Sequence, residues 1–129
     1  MSLASENPPG RPLDDTERAA ATYLLSVDFP GREELRRQAD TARVVDRCPC
    51  GCPTIYLWID RAGTAPALEA REAIPVEARS KGESPEDLFE LLLFVEDGWL
   101  KSLEIVYFSA TPPSAFPPPD SFHPPLVRS

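Results

Sequence analysis

The sequence predicts an α+β domain: one or two N-terminal helices packed on an antiparallel sheet of about four strands, followed by an extended proline-rich C-terminal tail. Three observations predict it. Apolar residues recur at three- and four-residue spacing after a capping signal near Asp14. Residues 54–60 alternate as a strand does. Asp97-Gly98, the residue pair that a type I′ turn requires, stands between two strand-like runs. At 129 residues the chain is read as one domain. The expected organisation is a flexible leader over residues 1–13, a single domain over 14–108, and a tail over 109–129 that is partly docked.

Taken in order, residues 1–13 hold Pro8, Pro9, Gly10 and Pro12 and no hydrophobic period, hence the leader. Asp14, Asp15, Thr16 and Glu17 suit a helix start, because a side-chain oxygen accepts an orphan amide hydrogen and acidic charge suits the positive end of the dipole. Ala19, Ala20, Tyr23, Leu24 and Val27 form the apolar stripe, so the helix is expected over residues 14–27. Phe29-Pro30-Gly31 ends it. A short second helix over residues 33–39 is expected to turn Arg32, Glu33, Glu34, Arg36 and Arg37 to solvent.

Residues 41–46 form a short predicted strand. Residues 54–60 form another, with Ile55, Leu57 and Ile59 on one face and Tyr56 and Trp58 on the other. Both faces are apolar, which places that strand inside a sheet. The two are expected to pair antiparallel across the intervening cysteine-rich turn. Residues 61–73 read as a loop, and residues 74–80 as a weak strand that Pro75 confines to an edge. In the hairpin over residues 88–107, the simplest register sets Glu96 opposite Trp99, Phe94 opposite Lys101, Leu92 opposite Leu103 and Glu90 opposite Ile105. Glu90 and Glu104 then point to opposite faces. The tail holds seven of the 16 prolines and is neither helix nor sheet interior. Phe116 is expected to dock, and the chain beyond Phe122 to be disordered.

The net charge of −8 repels phosphate backbones and anionic lipid, so nucleic acid and membranes are excluded as partners and a basic protein is favoured. No signal-like apolar run is visible, and no stretch approaches the ~20 apolar residues of a membrane helix. The expected location is cytoplasmic, where thiols stay reduced.

Three features carry chemistry. The first is Cys48-Pro49-Cys50-Gly51-Cys52, which holds all the cysteine in the chain. Thiolates at alternate positions in a tight turn can converge on zinc or copper(I). A structural zinc site takes four ligands, so the fourth would come from Asp46, His123 or a second subunit. The same thiols also suit a redox switch through a Cys48–Cys52 bond, or simple packing of small side chains under the sheet. The second feature is a run of seven acids against one base between Glu83 and Glu104. It reads either as a solvated face or as a docking surface for a basic partner, with Glu90, Glu96, Asp97 and Glu104 as contacts and Trp99 as an anchor. The third is aromatic: Tyr56, Trp58 and Trp99 are either core or a binding patch. His123 has no catalytic pattern around it, and no nucleotide or hydrolase motif occurs.

Two resemblances add to this. Cys48-Pro49-Cys50-Gly51 is similar to the opening of the SEC-C zinc motif. That motif has Ser or Thr where this chain has Cys52, and it ends in a Cys-His or Cys-Cys pair at positions that here hold neither residue. Residues 44–60, residues 91–106 and Phe116-Pro117-Pro118-Pro119 resemble small uncharacterised proteins of high-GC bacteria. The pattern Asp97, Gly98, Leu100, Leu103, Glu104 is similar to a hairpin in some immunity proteins of bacterial toxin systems. That resemblance covers about half the chain and implies no activity and no catalytic residue. The leading expectation is a non-enzymatic, immunity-like binding protein without a cofactor. The alternative is a zinc-binding or thiol-redox protein using Cys48, Cys50 and Cys52. Self-association stays open in both.

Overall fold

The structure is a computed structural model that describes residues 8–128. The elements are β1 (Arg11–Pro12), α1 (Asp15–Leu24), α2 (Arg32–Thr41), β2 (Arg43–Arg47), β3 (Ile55–Trp58), β4 (Val76–Arg79), β5 (Phe89–Glu96), β6 (Trp99–Tyr107) and β7 (Leu126–Val127). The α+β expectation holds, but the sheet is larger than expected. Seven antiparallel strands run in the order β1-β2-β3-β6-β5-β4-β7. The two outermost strands are two residues long. That is too short to show any alternation, which is why the sequence pattern does not reveal them.

Helix α1 starts as its residues predict. The Asp14 carboxylate accepts the Glu17 amide at 2.9 Å, and the Glu17 carboxylate accepts the Asp14 amide at 2.8 Å, a complete capping box. The helix stops at Leu24, short of Val27, because the Ser26 amide and hydroxyl both close on the Tyr23 carbonyl. Helix α2 is longer than expected and not wholly solvated. Leu35 and Gln38 are fully buried. Gln38 Nε2 donates to the carbonyls of Ala65 and Gly98, and its Oε1 accepts the Leu100 amide, each at 2.9 Å. One side chain thus ties α2 to the loop after β3 and to the hairpin turn.

The hairpin turn has Asp97 at φ 53° and Gly98 at φ 83°, the two left-handed positions of a type I′ turn. Glu96 faces Trp99, as expected, and Val95 faces Leu100. A bulge follows. Phe94 then faces Ser102, Leu93 faces Leu103, Leu92 faces Glu104 and Glu90 faces Val106. The simple register is therefore corrected by one residue, with Lys101 as the extra one. The physical reason lies in the spacing of Leu100 and Leu103. Three residues apart, they cannot share one face of a regular strand, and a bulge lets both reach the core.

That core face reads Val76, Leu93, Leu103 and Ile55 straight across four strands, all buried. Burying each such side chain contributes about 1.5–3 kcal/mol. Both helices pack here, through contacts of α1 with β4 and β5 and of α2 with β6. The opposite face carries Tyr56, Leu92, Phe94, Glu90, Glu104 and Val106, half-buried or exposed. No helix among the described residues is long and apolar enough to cross a membrane.

The chain outside the predicted domain bounds is also structured. Arg11 and Pro12 pair with Val44 and Arg43, and Leu13 is buried. Of the expected leader, residues 1–7 lie outside the described residues, and Arg11–Pro12 are paired in the sheet. In the tail, Phe116 docks as expected, and Phe122 is buried too. The expectation of disorder beyond Phe122 is corrected. The Val76–Glu77 edge of β4 is free to accept a partner, and Leu126–Val127 pair with it. Glu77, nearly buried, is neutralised by Arg128 and Arg79.

Candidate metal centre

Strands β2 and β3 are neighbours in sequence and in the sheet, so the residues between them must reverse the chain. Cys48 extends the ladder by one step: its amide donates to the Thr54 carbonyl at 3.2 Å. The Gly51 amide then donates to the Cys48 carbonyl at 3.3 Å, closing the turn. Gly51 has φ +92°, while a Cβ placed there would meet nothing within 4 Å. Glycine is required by the backbone conformation and not by space. Pro49 and Pro53 restrict φ on either side. At the base, Thr54 Oγ1 accepts the Ile105 amide at 3.0 Å and pins the turn to β6.

The three Sγ atoms all lie within 4.8 Å of one another. The Cys48 thiol donates to Cys50 Sγ at 3.0 Å, and the Cys52 amide donates to the same sulfur at 3.4 Å. Cys52 is buried in the core, Cys48 is half-buried and Cys50 is exposed. The cluster is thus rooted at one side and open at the other. An ion ~2.3 Å from each sulfur needs sulfur–sulfur distances of roughly 4 Å, so Cys48 and Cys50, at 3.0 Å, must separate by about 1 Å to ligate together.

Their protonation is uneven. Cys50 is pushed down to about 7, first by the hydrogen bond from Cys48, then by those from Cys52, with the Tyr107 hydroxyl adding to them. Cys48 keeps the proton it shares and is pushed up to about 11. Tyr107 is raised too, first by Cys50 and then by burial. Tyr56 is raised first by the charge of Glu104, then by burial, with Cys48, Asp46 and Cys52 contributing. Glu104 and Asp46 thus bring negative charge to the strands beside the turn.

Comparison with known proteins finds no matching family model, no similar curated protein and no similar solved structure.

The other predicted site residues are dispersed. Neither Asp46 nor His123 joins the sulfur group, which among the described residues consists of the three cysteines. His123 sits on the tail, where its amide donates to the Arg79 carbonyl and its carbonyl accepts the Tyr23 hydroxyl. The acidic hairpin set does not form one surface. Glu96, Asp97 and Trp99 are at the tip, whereas Glu90 is six residues back along β5, about 20 Å by strand rise. The bulge brings Glu90 and Glu104 to the same face, not to opposite faces. Glu96 pairs with Lys101 at 3.3 Å, and the Arg61 guanidinium covers the Trp99 ring at 4.8 Å. Thr54, Tyr56 and Tyr107 were missed as contributors around the cysteines, because only sheet register brings them there. A groove of about 710 Å³ opens between the other end of β3 and the α2–β2 junction, lined by Arg18, Arg43, Trp58 and Arg61 among others, and it contains no cysteine.

Proposed function

We propose that the chain is a metal-binding protein that holds one soft, thiophilic ion in the Cys48-Cys50-Cys52 turn. The observation that supports this is the convergence of three sulfurs within 4.8 Å on a turn tied into the sheet at both ends. Sulfur donors suit zinc and copper(I) over hard cations such as magnesium. Binding converts the thiols to thiolates and releases protons, and Cys50 is already depressed to about 7. A reducing compartment such as the cytoplasm keeps the sulfurs available.

The test is native mass spectrometry of protein purified without chelator, then loaded with one equivalent of zinc or copper(I) under reductant. One ion retained per chain is expected, lost when Cys48, Cys50 and Cys52 are replaced together by Ser. A bare mass with three free thiols after loading overturns the reading.

A second reading has one observation behind it. The hairpin bulge gathers Glu90 and Glu104, both half-buried, on the sheet face opposite the core, beside Tyr56, Leu92 and Phe94. That mixture of acids and apolar surface suits a non-catalytic, immunity-like role with a basic protein partner. Reversing both charges should abolish capture of a purified basic partner, and unchanged capture removes this reading.

A further inference from the structure

We propose that the ion is copper(I), held three-coordinate by the Sγ atoms of Cys48, Cys50 and Cys52 alone, and passed on by ligand exchange at Cys50. This inference rests on the metal-thiolate reading above and names its ion.

The first argument is the donor count. Among the described residues, the cluster offers three sulfurs and no carboxylate or imidazole within its 4.8 Å span. A closed zinc site takes four ligands, so zinc here would carry a water or borrow a donor from another chain. Copper(I) is monovalent, soft and closed-shell. It imposes no four-coordinate geometry, and three thiolates complete its shell.

The second argument is how the sulfurs are held. Cys48 is fixed by its ladder hydrogen bond and Cys52 by burial. Cys50 stands at the exposed apex, its sulfur receiving the Cys52 amide. Asp46 lies opposite Tyr56 in the sheet, and Glu104 is next to Tyr56's partner Ser102, so their field favours an arriving cation.

The third argument is access. Cys52 is buried, Cys48 half-buried and Cys50 exposed, so an acceptor thiol meets Cys50 first. In the exchange, the acceptor sulfur loses its proton and forms one copper–sulfur bond. The bond to Cys50 breaks, and Cys50 takes up a proton. Copper stays in the +1 state throughout, so no oxidant or reductant enters.

The full chain is titrated anaerobically with copper(I) against bicinchoninate, and with zinc against a chromophoric chelator. The expected result is one copper(I) per monomeric chain, with three sulfur neighbours and no nitrogen or oxygen in X-ray absorption. Cys50→Ser changes an exposed residue, so the fold should persist by circular dichroism while the three-sulfur signature disappears. Release to bicinchoninate should speed up in proportion to its concentration. Zinc bound through the cysteines without copper(I) binding overturns the copper inference and leaves the metal-thiolate function standing. Failure of both ions overturns both. Copper(I) held only as a cluster bridging chains, or released at a rate independent of acceptor, also overturns the inference.

Discussion

Cys50 is the apex of the turn, and its sulfur receives both the Cys48 thiol and the Cys52 amide. Those bonds favour the thiolate, so Cys50 is pushed down to about 7 while Cys48 is pushed up to about 11. A depressed thiol is charged above its folded pKa and loses that charge as pH falls through it. Alkylation of the metal-free protein, resolved by peptide mass spectrometry, should therefore rise at Cys50 through about pH 7 and level off above it. Cys48→Ala removes the leading cause, the donated hydrogen bond, and should move the midpoint up toward the ordinary value of 9.0. An unmoved midpoint would assign the shift to some other source. At this scale the ligand types were legible, because three cysteines in five residues are visible in any reading of the chain. Their supports were not. Thr54 Oγ1 and Ile105 are 51 residues apart, and nothing local to either predicts their hydrogen bond.

The hairpin shows the same division between local and distant determinants at the level of the element. Asp97-Gly98 dictates a type I′ turn, and the turn forms. The bulge one step further was also encoded, in the three-residue spacing of Leu100 and Leu103, but alternation-based reading passes over it. Lys101→Ala should change stability by no more than about 0.5 kcal/mol, since its side chain is exposed. Deleting Lys101 removes the extra residue, so Leu100 and Leu103 fall two positions apart and both still face the core in a regular ladder. The cost, read from the urea midpoint, should therefore stay near that of an ordinary point change, about 1 kcal/mol. A loss above about 3 kcal/mol would mean that the strand slips and turns Leu103 and Ile105 outward. Gln38 was invisible to the helix pattern, which expected only a polar face around it. Gln38→Ala leaves the Gly98 and Ala65 carbonyls and the Leu100 amide without this partner. A loss of about 1–3 kcal/mol is expected, with faster hydrogen exchange at Leu100 than in β4.

Across the whole molecule, the helices and the five longer strands were readable, and the two strands that finish the sheet were not. Strands β1 and β7 lie in proline-rich sequence and gain order only from the edges they meet. The tail is the stronger case. Phe122 is 2% exposed, bridges to Ser80 and accepts the Tyr23 hydroxyl through its carbonyl. It therefore joins α1, β4 and the tail in one core, and the segment after it covers β4. Phe122→Ala should cost about 3–5 kcal/mol, the range for a large aromatic removed from a packed interior. Phe108 is the internal control. It is 54% exposed, so Phe108→Ala should cost less than about 0.5 kcal/mol. Both variants can be compared by urea denaturation followed by tryptophan fluorescence, with hydrogen exchange at Val76 and Glu77 as the local readout. A large midpoint shift for Phe122→Ala, with those amides opening at the global rate, makes the tail part of the cooperative unit. If the two variants shift equally and little, the tail unfolds independently of the sheet, and the cysteine turn on the far side of β6 would then fold without it.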